Sequence, residues 1–283
     1  MRNNTGGTTA KSEYYTYDEV GRLRSNCSSA TKADNCPSSS PTTTYTYDKV
    51  GNRLTQTAPS SSTAYFYDIA DQLTKAVTGT STTNYSHDAD GNRTTDGIDA
   101  LAYDGANRLK SKGTTTYTYD VDGNRATSVK NGTTTSYAWD INNELPLLAG
   151  ESTGSGGWSA AYTYNELGQI ESTKQPQGTF YYHHDLIGTV TDLTNSTGRE
   201  IANYTFGPFG ENPTNLNLGA EDAPLNRFGF TGEYTDQTIR NDFDAVATSI
   251  NLRARNYDPN TGRFTSRDPY VPDASTPYTQ AYA

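Results

Sequence analysis

The chain has 283 residues, with 22 basic against 32 acidic side chains, a net charge of −10 and a sequence pI near 4.7. That balance argues against nucleic acid and against an anionic membrane surface as partners, because both call for a positive field. Leu, Ile, Val and Phe together supply only 39 of the 283 residues, a composition for which disorder is the starting expectation.

The arrangement of the aromatics opposes that expectation. Tyr occurs 22 times, and each can bury its ring while the hydroxyl stays hydrogen-bonded. Tyr and Thr are also good strand formers. The start of the chain, "MRNNTGGTTA", holds no apolar run of the kind a secretory signal needs; either export is by another route, or the chain is a fragment whose N-terminus is missing. No stretch is long and apolar enough to span a membrane. Cys27 and Cys36 follow in a Ser/Thr-rich stretch. They are either a disulfide closing a short loop, as in an exported protein, or two free thiols, and spacing alone does not decide.

From residue 14 onward one unit recurs: "YTYDEVGRLR", "YTYDKVGNRL", "YFYDIADQLT", "YSHDADGNRT", "YTYDVDGNRA". Its anchors after the second aromatic are Asp18, Asp48, Asp68, Asp88, Asp104, Asp120, Asp140, Asn165 and Asp185, at steps of 30, 20, 20, 16, 16, 20, 25 and 20 residues. A period near 20 with tolerated insertions marks a repeat architecture. The two aromatics of Tyr-x-Tyr share one face of a strand. The following Asp-x-x-Gly is a tight reversal, with Asp capping its own backbone and Gly supplying a positive φ. The chain then returns as a second strand. Each unit is thus predicted to be a β-hairpin, and nine in succession to pair into one long twisted antiparallel sheet with stacked tyrosine ladders. The fold class expected is all-β.

The pattern "YDxxGRL/YDxxGNR" over roughly residues 14–200 resembles the YD-repeat, or Rhs, family. The segments "FYYHHDLIGTVTDLTNSTGREIANYTFGPFGE" (180–211), "NRFGFTGEYTD" (226–236) and "INLRARNYDPNTGRFTSRDP" (250–269) resemble the closing part of the Rhs core. The resemblance implies a β-ribbon wound into a hollow shell. It also implies a closing segment that plugs or lines one end. In bacterial toxin members a C-terminal effector is held inside and released by aspartyl-type autoproteolysis; animal relatives are adhesion proteins. In cleaving members an Arg-Asp pair near "RDP" acts with a second Asp further on, which here makes Arg267 and Asp268 the candidate pair. This chain departs from the pattern in the stretch "QTIRNDFDAVATS", in ending at "YTQAYA" without the second acid motif, and in having few repeats.

Self-cleavage needs two carboxylates able to share a proton. Asp258 and Asp273 are the nearest companions for Asp268, and neither sits where the family places its second acid. The competing reading ties Arg253, Arg255, Arg263 and Arg267 to Asp258, Asp268 and Asp273 as structural ion pairs. His87 and His184 take the place of a second Tyr, and His183 faces the other way, so the three histidines read as strand residues and not as a triad or metal site. "DADGN" and "DVDGN" hint at calcium, but the Gly stands fourth where an EF-hand needs it sixth. The sequence therefore gives no metal and no cofactor.

The reading divides the chain into a hairpin array over 1–200 and a closing segment over 201–283. Its function is a structural shell or scaffold element of a secreted or cell-surface bacterial protein. The expected partners are an encapsulated effector or further copies joined through strand edges. Glycan binding by exposed tyrosines is the alternative, and self-cleavage a second one.

Overall fold

The computed structural model describes residues 12–30, 35–154, 156–211, 214–217, 224, 226–236 and 249–268. Its described elements are strands, apart from a three-residue 3-10 segment at Phe230–Gly232. Within each sheet, every strand pairs antiparallel with its neighbours in sequence.

The unit at Asp48 shows why the repeats fold into hairpins. Strand Thr42–Tyr47 pairs with Arg53–Ala58. Between them the Asp48 Oδ1 accepts hydrogen bonds from the amides of Val50, Gly51 and Asn52 at 3.0, 2.8 and 2.8 Å. One carboxylate thereby satisfies three donors that the reversal leaves without ladder partners. Burial works to push this carboxyl up, and hydrogen bonds from Asn52, Gly51 and Val50 outweigh it and hold it below the usual range. Gly51 closes the turn at φ 103°. Where the repeat lacks that Gly, Asp71 and Asn107 take the same left-handed region at φ 60° and 57°, as short polar side chains can. The ladder slips by one residue at the second aromatic, between Thr46 and Tyr47, and again at Tyr17, Tyr67, Tyr103, Tyr119, Trp139, Tyr164 and His184. Such a slip accompanies a hairpin closed by a residue with positive φ.

In most units after the first, where Tyr15 and Tyr17 are exposed, the two aromatics have different tasks. The first packs in the core: Tyr45, Tyr65, Tyr117, Tyr162 and Tyr182 are buried. The second joins hairpins. Tyr47, Tyr67, Tyr119 and Tyr164 donate their hydroxyls to the carbonyls of Leu23, Arg53, Leu109 and Leu148, each on the return strand of the preceding hairpin, at 2.7–2.9 Å. Trp139 Nε1 does the same to the Arg125 carbonyl at 2.8 Å.

The ribbon is all-β, as the repeats require, but it is not one sheet. Among the described residues there is a seven-stranded sheet from Ser12–Tyr17 to Ser81–Asn84. A twelve-stranded sheet runs from Leu101–Tyr103 to Thr214–Asn217. Between them Ser86–His87 and Arg93–Thr95 make a two-stranded sheet of their own. The interruption falls where the anchors are only 16 residues apart, a step that leaves strands of two to four residues. The described residues accordingly divide into two compact units, one within 12–88 together with 94–97, the other within 89–93 and 98–268. In the first unit the core gathers around Tyr65, Leu73 and Ala76. There Cys27 and Cys36 are joined as a disulfide, their Cα atoms 6.3 Å apart. In the second unit, Leu148, Tyr162, Ile170, Tyr182, Val190 and Leu193 of the sheet share one core with Phe228 and Tyr234. The expected division at residue 200 is one of motif content; packing places the strands on either side of it in the same sheet.

Candidate functional site: the docked closing segment

Residues 226–236 and 249–268 lie against the tyrosine face of the twelve-stranded sheet. They carry a four-stranded sheet of their own, Tyr234–Thr235, Ile250–Asn251, Asn256–Asp258 and Arg263–Phe264. The side chain at the centre of the contact is Phe228. Its ring meets Tyr162, Tyr164, Tyr182 and Tyr234 edge-to-face, with centroids 4.9, 6.4, 6.0 and 5.8 Å apart. Rings in this geometry set a positive edge on a negative face and gain beyond their buried area. Stacked ladders were expected from the sequence; the ring pairs at this contact are T-shaped instead.

Buried arginines pair with acids across the contact. The repeat motif Gly-Asn-Arg places Arg93 and Arg125 at the start of a return strand, where both are almost fully buried. A guanidinium in that position needs a counter-charge and hydrogen bonds. The closing segment supplies both. Arg93 Nη1 donates to Asp258 Oδ2 at 2.6 Å and Nη2 to Thr261 Oγ1 at 3.2 Å, while Thr261 also donates to that carboxylate at 2.8 Å. Arg125 forks onto the Asp236 carboxylate and reaches Asn256 Oδ1 at 3.4 Å. Burial works to lower the Arg125 guanidinium, and the Asp236 charge and hydrogen bond, together with Tyr117 and Tyr137, outweigh it, so that Arg125 stays charged. Its face also lies over the Tyr117 ring, 4.2 Å from the centroid. A third group runs the other way: Arg227 of the segment approaches Glu151 of the sheet at 3.5 Å, and Tyr234 donates to the same carboxylate at 2.9 Å. Burial pushes the Tyr162, Tyr182 and Tyr234 phenols well above their ordinary value, so all three remain neutral.

Backbone bonds complete the contact. The Thr265 carbonyl accepts from both Arg93 N at 2.8 Å and Tyr103 Oη at 2.7 Å. Val190 N donates to the Gly229 carbonyl at 2.9 Å. At Gly232, φ is 73° and an added Cβ would stand 2.9 Å from the Gly188 carbonyl oxygen, so the two chains touch where only Gly fits. The "PFGE" turn is held from inside, Phe209 N donating to Glu211 Oε2 at 2.8 Å.

The candidate cleavage residues are not gathered into a catalytic pair here. Asp268 is partly exposed and pairs with Arg255 at 2.9 Å. Asp258 is committed to Arg93. Arg267 contributes its backbone amide to Asn92 Oδ1 at 3.2 Å, Arg253 pairs with Glu233 at 3.1 Å, and Asp273 lies outside the described residues. His183 Nε2 lies 3.0 Å from Thr194 Oγ1, and burial lowers His184. The anchors Asp18, Asp68, Asp104, Asp120, Asp140 and Asp185 each accept an amide from two residues on, the turn role their spacing predicts. Asp88 stands at the corresponding place in "DADGN". Tyr45, Tyr65, Tyr117 and Tyr162 are buried, whereas Tyr15, Tyr17 and Tyr181 stay exposed.

Sequence reasoning passed over Arg93, Arg125, Glu151 and Asp236. The one local signal was the Arg of "GNR", which recurs at a fixed place in several units.

The profile of the Teneurin YD-shell family matches residues 52–142. The tRNA nuclease WapA of Bacillus subtilis strain 168 is 30% identical over 237 residues, covering 80% of this chain and 9% of that protein. The tRNA3(Ser)-specific nuclease WapA of Bacillus spizizenii is 28% identical over 233 residues, with the same two coverages of 80% and 9%. Among solved structures, TcdB2-TccC3 aligns over 92% of this chain and 16% of its own, at 18% identity and a TM-score of 0.58. The Tc holotoxin pore of Photorhabdus luminescens aligns over 96% and 16%, at 19% identity and a TM-score of 0.58. The chain thus spans about a tenth of the curated relatives it matches, and the structural likeness speaks for the fold alone.

Proposed function

Because the chain is a YD-repeat protein of the Rhs type, we propose that it serves as a structural wall: a hairpin ribbon whose face is sealed by its own closing segment. The observation that supports this best is the pairing of Arg93 with Asp258 and Arg125 with Asp236. Each pair couples a repeat residue to the closing segment, and each is buried where chemistry on an outside substrate is impossible. Of the acids that self-cleavage would use, Asp258 is tied into this bracing through Arg93.

The wall belongs to a larger bacterial protein of the toxin or cell-surface kind, secreted or displayed, in which it encloses or supports another domain. The relatives' length supports that setting, and so does the Cys27–Cys36 disulfide, which suits an oxidising compartment. Among the described residues no helix is long and apolar enough to cross a membrane. The early exclusion of nucleic acid is not carried forward to that larger protein. Two relatives are named as tRNA nucleases, and the charge balance speaks only for this stretch.

The test is to incubate the purified chain alone and with tRNA, then to digest it with a dilute protease. A wall gives no discrete self-cleavage fragment and no tRNA cleavage. It yields one protease-resistant core that contains both Tyr117 and Phe264. Cleavage of tRNA, or a fragment abolished by Asp268→Asn, overturns the reading.

A further inference from the structure

The turns of the twelve-stranded sheet carry a row of exposed aliphatic side chains. All turns that follow a Tyr-x-Tyr strand project from one edge of an antiparallel array. In four consecutive hairpins the central turn positions hold Val121, Ile141, Leu167, Leu186 and Ile187. Their relative exposures are 101, 61, 84, 100 and 63%. A reversal wants polar residues or Gly, Asn and Pro there; four turns in a row presenting bare aliphatics form a ridge with no folding role.

Two further observations define what would cover it. The first is charge. Asp122, Glu144, Glu166 and Asp185 are exposed in the same turns, which contain no Lys or Arg. Neighbouring guanidinium groups are already engaged, Arg108 with Asp104 and Arg253 with Glu233. The second is period. Successive turns lie two strands apart, about 9.5 Å. A polyproline II segment returns a side chain to the same side every three residues, about 9.3 Å. The ridge also opens into a cleft of about 210 Å³ between Leu167 and Ile187, floored by Trp139, Tyr164 and Phe228, wide enough for one apolar side chain.

We propose that this turn ridge is a docking surface for an extended, proline-rich, basic polypeptide segment, with an apolar side chain on every third residue and Lys or Arg between. A second copy of this chain is the poorer occupant, since it would set the same acids face to face in a chain of net charge −10. The inference is independent of whether the wall encloses another domain.

The probe is a labelled peptide of repeating Pro-Leu-Lys triplets, titrated into the full chain by fluorescence anisotropy. Two controls are the same composition shuffled and a Pro-Leu-Glu analogue. The wild-type chain should bind the Lys triplet peptide and neither control, with affinity falling as salt rises. Leu167→Ser with Leu186→Ser should weaken binding about tenfold. Both side chains are exposed, so the fold is expected to persist. Glu166→Lys, which keeps the aliphatics, should weaken it severalfold and flatten the salt dependence. Equal binding of the shuffled peptide, or no change in either variant, overturns the proposal. Two other results overturn it by reassigning the ridge: capture of phosphatidylcholine vesicles lost in the serine variant, to a lipid surface; or a sedimenting dimer lost in that variant, to a second copy.

Discussion

Tyr103 donates its hydroxyl to the Thr265 carbonyl, 162 residues further along the chain, at 2.7 Å. Elsewhere in the ribbon the second aromatic donates to the preceding hairpin: Leu23, Arg53, Leu109 and Arg125 each stand five residues after their anchor Asp. For Tyr103 the equivalent residue is Arg93. Its amide also donates to the Thr265 carbonyl. The closing segment therefore occupies the place of a neighbouring hairpin at the edge where the twelve-stranded sheet begins.

Tyr103→Phe should remove one net hydrogen bond, about 1 kcal/mol. Tyr119→Phe removes the equivalent bond inside the array and should cost about the same. Urea unfolding followed by tryptophan fluorescence checks both, since Trp139 and Trp158 lie in the second compact unit. A null effect at Tyr103 alone would mean that the segment does not replace a hairpin there.

Asp236→Ala leaves the Arg125 guanidinium buried without its carboxylate and should cost about 3–5 kcal/mol. Arg125→Met together with Asp236→Leu removes both charges and should recover most of that loss. Unfolding midpoints of the two singles and the double give the coupling directly.

Stability should fall at both ends of the pH scale for different reasons. Tyr162, Tyr182 and Tyr234 titrate above the ordinary 10.0 because burial disfavours the phenolate. What they contribute is complete below pH 10 and is lost as pH rises beyond it. Asp48 and Asp104 titrate below the ordinary 3.8, since hydrogen bonds outweigh their burial. Their contribution is complete above that value and is lost as pH falls below it. Alkaline titration at 295 nm should show these phenols ionising together with unfolding.

Gly232→Ala should cost about 2–3 kcal/mol, because the backbone is left-handed and the Gly188 carbonyl blocks the methyl. Gly132→Ala, at φ 77° with nothing within 4 Å, carries the backbone strain alone, about 1 kcal/mol. Thermal melts of the two variants separate close approach from conformation.

The hairpins were legible because everything that makes them is local. Tyr-x-Tyr fixes a face, Asp caps, and Gly reverses, all within about ten residues, so Asp18, Asp48 and Asp120 could be assigned their turn role from sequence. The break in the sheet was written in the 16-residue steps, but a pattern that counts anchors does not weigh the length of the strands between them. The bracing was not legible. Arg125 meets Asp236 across 111 residues and Arg93 meets Asp258 across 165, and no local rule says which of many acids a buried arginine will find. The same holds for the second tyrosine: its face was readable, its hydroxyl's carbonyl was not.

The central claim is that the closing segment is built into the ribbon as a structural member. Native-state hydrogen exchange at the amides of Arg93 and Val190, which donate to Thr265 and Gly229, tests it most directly. The account predicts that both are protected as strongly as ladder amides such as Thr173, and that Asp236→Ala weakens them together. Rapid exchange at Arg93 and Val190 beside a protected Thr173 would contradict it.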